Sequence, residues 1–246
     1  MNQAQLVVLD DAQALCVRAA EEIVHLAGEA ICTNGEFTLC LTGGTTPTAA
    51  YELMASRFQL SVDWKEVQFF WGDERCVPPD DPASNYGMAY RTMLSKLPLR
   101  PEQIHRIHGE DNPAKAASEY ENELRRSFGL TDSSDLPSFN LLLLGLGENA
   151  HIASLFPHDP ALREKTRLVV AVDVEATPSK RVSLTLPVIN NADRIMFMVS
   201  GEKKAEAVKQ VLQGPSDPER YPAQLVKPRN GQIVWLIDRA AASQLT

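Results

Sequence analysis

The sequence predicts an α/β fold: an open, doubly wound, largely parallel sheet with helices on both faces. Three observations predict it. Phe37–Leu41 and Val67–Trp71 read as short apolar strands, and the aliphatic run Leu141–Leu144 as a strand buried on both faces. Segments of helical periodicity lie between such runs, and that alternation indicates parallel strands joined by crossover helices. Several of the runs also stop at glycine where a strand should leave its sheet. Open α/β sheets bind ligands just past those strand ends.

The chain has 246 residues and shows no composition break or internal repeat, so one domain over 1–246 is expected. Hydrophobic content of 44% and charged content of 23% suit a globular protein with a sizeable core. A formal net charge of -8 argues against general nucleic-acid binding and against adhesion to an acidic membrane. It leaves room for a small anionic ligand, because a few placed Arg and Lys reverse the field locally. Cys16, Cys32, Cys40 and Cys76 have no zinc or redox spacing and read as buried apolar residues of a reducing compartment. The opening Met-Asn-Gln-Ala-Gln shows no secretory signal, and no apolar stretch reaches transmembrane length. A cytoplasmic location is the expectation.

Leu6 to Leu9 is a short strand. Leu15, Ala19, Ile23, Leu26, Ala27 and Ala30 then recur at helical spacing until Asn34-Gly35 stops the helix. The strand Phe37–Leu41 runs into Thr42-Gly43-Gly44-Thr45-Thr46-Pro47, and a helix follows over Ala49 to Phe58. Proline suits a first helical turn, and a Thr before it can cap the free amides. The join reads equally as a phosphate cradle or as a tight βα turn with a good cap. Val67–Trp71 ends in Gly72-Asp73-Glu74-Arg75. Three charges at the end of a buried strand suggest that Arg75 holds an anion while Asp73 and Glu74 fix its side chain; the plainer alternative is a solvated salt-bridge cluster.

Pro78, Pro79 and Pro82 mark a loop, and Ser84-Asn85 caps a helix over about Tyr86 to Leu97. Ile104 to Ile107 reads as a short strand with His105 and His108 on an exposed face. No third ligand accompanies them, so a metal site is not expected. Asn112-Pro113 opens a helix to about Phe128, and a polar linker follows over Thr131 to Ser138. Next comes Leu141 to Pro157. Its aliphatic run breaks at Gly145 and Gly147, and His151 follows where a titratable group can meet a substrate.

Beyond it, Arg167–Val172 and Arg181–Leu186 read as strands separated by a Pro-containing loop. Arg194–Ser200 is a strand, and Gly201-Glu202-Lys203-Lys204 turns it into a helix to about Gln213. Gly214 to Arg229 reads as a surface connection. Ile233–Ile237 is the last strand, with a short terminal helix after it.

In a parallel sheet the glycine turn, Asp73-Glu74-Arg75, the Gly145-to-His151 loop and the Gly201-to-Lys204 turn emerge on one edge. Their pooled inventory is glycine amides, Arg75, Lys203 or Lys204, possibly Arg181, and one His: an anion site with a single acid-base group. Walker, Rossmann and Ser-nucleophile patterns are absent, and a sugar phosphate fits better than a nucleotide.

These residues also carry a resemblance that runs almost end to end. Its carriers are Gly43-Gly44-Thr45-Thr46-Pro47, then Asp73 to Pro78 with Asp81 and Ser84-Asn85-Tyr86-Gly87, then Gly145 to His151 with Ala153-Ser154-Leu155-Phe156-Pro157, and finally Arg181 to Thr185 with Gly201 to Lys204. In order and spacing the chain resembles the glucosamine-6-phosphate isomerase/6-phosphogluconolactonase superfamily, on its lactonase side. The resemblance implies a NagB/RpiA/CoA transferase-like sheet. It also implies hydrolysis of 6-phospho-D-glucono-1,5-lactone in the oxidative pentose phosphate pathway, with no cofactor and no metal. By resemblance His151 is the general base, Arg75, Arg181 and Lys204 contact the phosphate or the carboxyl end of the sugar, and Gly43, Gly44 and Thr45 line the pocket.

One departure bears on mechanism. The family usually has Asp-Gly-His where this chain has Asn149-Ala150-His151. Asn149 can accept the hydrogen bond that an Asp would take, but carries no charge. Glu148 is an alternative source of that charge, and Ala150 lacks the easy route of glycine to positive φ. The rival readings are the deaminating isomerase of glucosamine 6-phosphate, which needs a further carboxylate as ring base, and a non-catalytic sugar-phosphate sensor.

Overall fold

The computed structural model describes residues 4–173 and 180–246. The extreme amino terminus and the Pro178 loop lie outside the described residues. Fifteen elements carry the fold: β1 (Gln5–Leu9), α1 (Ala12–Asn34), β2 (Phe37–Leu41), α2 (Thr45–Ser56), β3 (Val67–Trp71), β4 (Asp73–Arg75), α3 (Asn85–Thr92), α4 (Pro113–Ser127), β5 (Leu141–Leu144), β6 (Val169–Val172), β7 (Arg181–Leu184), α5 (Leu186–Ile189), β8 (Arg194–Val199), α6 (Ala205–Leu212) and β9 (Gln232–Asp238).

The expected parallel sheet is present. Its order is β1-β9-β8-β5-β2-β3, and every pairing in it is parallel. All residues of β2 and β5 are buried, as continuous aliphatic runs require in a sheet covered on both faces. Helix boundaries follow local chemistry. Asp11 accepts the Ala14 amide at the start of α1, and Gly35 ends that helix at φ 83°. Asn112 caps α4 ahead of Pro113, and Ser84 caps α3. Among the described residues no helix is long and apolar enough to cross a membrane.

The alternation of strand and helix hid a second sheet. β4, β7 and β6 form an antiparallel sheet of their own, in the order β4-β7-β6. The link from Val172 to Arg181 is too short for a parallel crossover, which takes a dozen or more residues, so the strands it joins must run antiparallel. Asp73-Glu74-Arg75 is therefore itself a strand, and Arg75 stands in register with Arg181.

Smaller expectations also change. Ile104 makes only an isolated bridge to Phe69, and His105 is half-buried, stacked on Phe70 at 4.3 Å. The helix after Ser84 ends at Thr92 and gives way to a 3-10 turn over Leu94–Lys96. No terminal helix forms. The Asp238 carboxylate accepts the Ala241 amide at 2.7 Å, which holds that segment in turns. The segment after Gly214 is not wholly superficial, since Ala223 and Val226 are buried and the Ala223 amide donates to the Ala150 carbonyl. Cys16 and Cys40 are buried as expected, but Cys76 is only partly covered and Cys32 is exposed near the end of α1.

Candidate active site

The loops after β2, β5 and β8, together with β4, enclose a cavity of about 610 Å³. Two buried tyrosines fix where the strands end. Tyr51 of α2 accepts the Thr42 amide at 3.0 Å and donates to the Thr42 carbonyl, and Tyr120 of α4 does the same at Trp71. Each hydroxyl satisfies one backbone donor and one acceptor that the sheet leaves unpaired, so the turns start from rigid points.

After Thr42 come Gly43, Gly44 and Thr45, which all line the cavity. A Cβ on Gly43 would fall 1.9 Å from Oδ1 of Asn85, and Gly44 takes φ 113°. The expected threonine cap is absent, because α2 begins at Thr45 behind Gly44 and has no side-chain cap. Its first residues line the cavity with no side chain capping their amides, which is what a phosphate cradle needs and a capped turn lacks.

Arg75 lines the cavity, but neither Asp73 nor Glu74 holds its side chain. The guanidinium donates to the Ala83 carbonyl, and its Nε is buried without a partner. Glu74 instead spends its oxygens on the amides of Arg75, Asn85 and Tyr86 and on the Ser84 hydroxyl. A buried carboxylate finds its best compensation at the free amides of a helix start, so Glu74 orders the backbone around α3. Asp73 ties two loops together: it accepts from Asn85 Nδ2 at 3.2 Å and from Ser154 Oγ at 2.6 Å. Asn85, visible in the sequence only as part of a cap, also lines the cavity.

Lys204 lines the cavity from the 3-10 turn before α6; Lys203 does not. Burial lowers the Lys204 ammonium pKa, the first of its causes, and the field of Glu148 opposes this. Arg181 pairs with Arg75 across the β4–β7 ladder and lies outside the lining, although its charge still reaches His151. Among the described residues no group of His, Cys, Asp and Glu is arranged to hold a metal.

His151 and Asn149 both face this cavity. His151 Nδ1 lies 2.6 Å from Asn149 Oδ1, and the same oxygen accepts the His151 backbone amide at 3.3 Å. An acceptor shared with an amide is an oxygen, which assigns the imidazole proton to Nδ1 and the lone pair to Nε2. Burial, then Lys204, Arg181 and Arg75, pushes the His151 pKa down to about 4. The ring is therefore neutral at physiological pH. Glu148 is not among the groups that act on it.

The family described as glucosamine-6-phosphate isomerases/6-phosphogluconolactonase matches residues 10–235. The chain belongs to this family. A 6-phosphogluconolactonase of Nostoc sp. is 38% identical over 240 residues, covering 97% of each chain. Another, of Synechocystis sp., is 36% identical and covers 98% of each. The solved 6-phosphogluconolactonase of Trypanosoma cruzi superposes with a TM-score of 0.89 at 25% identity, over 100% of this chain and 98% of that one. Ala150 takes φ 62°, the conformation that glycine adopts at less cost.

Proposed function

We propose that this chain is, over its whole length, a one-domain cytoplasmic 6-phosphogluconolactonase that uses His151 as general base. The observation that carries the reading is an imidazole held through Nδ1 by Asn149 Oδ1 at 2.6 Å, in a cavity also lined by Arg75 and Lys204. A base that stays uncharged beside cations suits an anionic substrate with an already activated carbonyl.

Nε2 takes a proton from water as the water oxygen bonds to lactone C1. The resulting oxyanion is favoured by the charges of Arg75 and Lys204 in the cavity wall. Its collapse breaks the bond from C1 to the ring oxygen, which takes the proton back from the imidazolium. Water is consumed and 6-phospho-D-gluconate is formed, with no covalent intermediate. Arg75, Lys204 and the uncapped start of α2 at Gly44 and Thr45 supply the contacts for the phosphate and the carboxyl end, and Arg181 adds charge from the neighbouring strand. The substrate is a small phosphorylated lactone; the acidic chain offers nothing to nucleic acid or a membrane surface.

The deaminase reading needs a carboxylate free to act on the sugar. In the Asp73-Glu74 segment, Asp73 is the carboxylate in the cavity wall and both its oxygens already accept hydrogen bonds, which favours the lactonase; Glu148 also lines the cavity, but on the His151 loop. The test is a stopped assay with lactone made in situ. Wild type should exceed spontaneous hydrolysis, and His151→Ala should fall to the spontaneous rate. Equal rates for the two would remove His151 as the base. Binding of 6-phosphogluconate without acceleration would instead indicate a sensor, and ammonia release from glucosamine 6-phosphate the deaminase.

A further inference from the structure

We propose that Phe156 is a positioning residue for His151, its ring holding the plane of the imidazole for general-base catalysis. The inference rests on the lactonase reading. The torsion that turns an imidazole about its Cβ–Cγ bond is broad, so one hydrogen bond fixes the ring loosely. His151 has that one bond, to the neutral Asn149. Two further contacts restrict it. Gly147 lies so close that a Cβ there would fall 2.0 Å from Nδ1, and the Phe156 ring lies 4.3 Å away, centroid to centroid, tilted by 30°.

Phe156 has its own anchor. With Ala161 it packs against Val170 and Val172 of β6, a cluster separate from the main core. The segment between the two rings is pinned as well, by the turn from Leu155 to the Ile152 carbonyl and by the Ser154 hydroxyl on Asp73. Phe156 thus braces the imidazole from the second sheet, while the loop after β5 carries the imidazole itself.

The contact also has an electrostatic consequence. The charged groups acting on His151 are Lys204, Arg181 and Arg75, all positive, and Asn149 contributes no charge. The Phe156 ring also covers one side of the imidazole from water, and that cover disfavours the cation as those charges do.

The experiment compares Phe156→Ala, Phe156→Leu and Phe156→Tyr by kcat, KM and the His151 titration followed by NMR. Phe156→Ala should lower kcat about 10-fold or more with KM within about 2-fold, because positioning acts on the chemical step. Its His151 titration should move up as water reaches the ring. Phe156→Leu keeps the cover without the aromatic face and should fall between Ala and wild type, and Phe156→Tyr should restore both readings. Unchanged kcat and titration in Phe156→Ala overturn the proposal. If that variant does not fold, wild-type kcat in Phe156→Leu overturns it. Should wild type show no lactonase activity, the lactonase reading falls, and an unmoved titration in Phe156→Ala then overturns the clamp separately.

Discussion

Asn149 Oδ1 accepts two hydrogen bonds from the same residue, His151, one from its backbone amide and one from Nδ1. The pair fixes the tautomer without supplying charge. Asn149→Asp should therefore raise the His151 pKa, since a carboxylate favours the imidazolium. The acid limb of kcat/KM should move up by about one unit or more. Asn149→Ala should lower kcat about 10- to 100-fold by freeing the tautomer and the ring. A pH–rate profile unmoved in Asn149→Asp would show that the position does not tune the base.

The depressed His151 pKa predicts two pH effects. In the free enzyme the acid limb should lie near pH 4, and Lys204→Met should shift it upward by removing a cation that disfavours protonation. On stability, the unfolded chain takes up this proton below its ordinary pKa near 6.5, while the folded chain waits until about 4. The stabilising contribution is complete above pH 6.5 and is lost as pH falls from there to 4, by roughly 1–3 kcal/mol. Thermal melts at pH 7 and pH 5 check the sign: His151→Ala should lose less stability on acidification than wild type.

Gly147→Ala places a methyl group where the imidazole edge now sits. The residue has no positive φ, so backbone conformation does not oppose the change and the collision alone decides the outcome. The imidazole should be displaced from Asn149, with kcat falling about 100-fold or more and a circular dichroism spectrum like that of wild type. Wild-type turnover would mean that the observed ring position is not the working one.

Arg75→Ala and Lys204→Ala should each raise KM about 10-fold or more through loss of a charge-assisted contact. Arg181→Ala should act less on KM, because Arg181 lies outside the cavity lining, and should raise the His151 pKa. Substrate titrations of the three variants, read against ionic strength, separate direct contact from field. If neither Arg75→Ala nor Lys204→Ala changes KM, the anion site lies elsewhere.

Much of this architecture is local enough to be legible in the chain. Buried strands announce themselves as aliphatic runs, and Asp11, Ser84, Asn112 and Gly35 mark helix ends through bonds to their own neighbours. The strand-end motifs do meet, because parallel strands point their carboxyl ends the same way. Glycine at 43 and 147 signals close approach, but not that Asn85 and His151 are what approach.

Unaided, the sequence determined the strand-and-helix alternation, the glycine breaks and an inventory of Arg75, Lys203 or Lys204, possibly Arg181, and His151. Only the tertiary structure decided that Asp73 binds Ser154, 81 residues away, that Arg75 faces Arg181 across an antiparallel pair, and that α2 starts without a side-chain cap. It also decided that His151 is neutral well below its ordinary pKa. Propensity and capping act over a few neighbouring residues. Burial and the sum of distant charges exist only once the chain is folded, and those terms set the chemistry of the histidine.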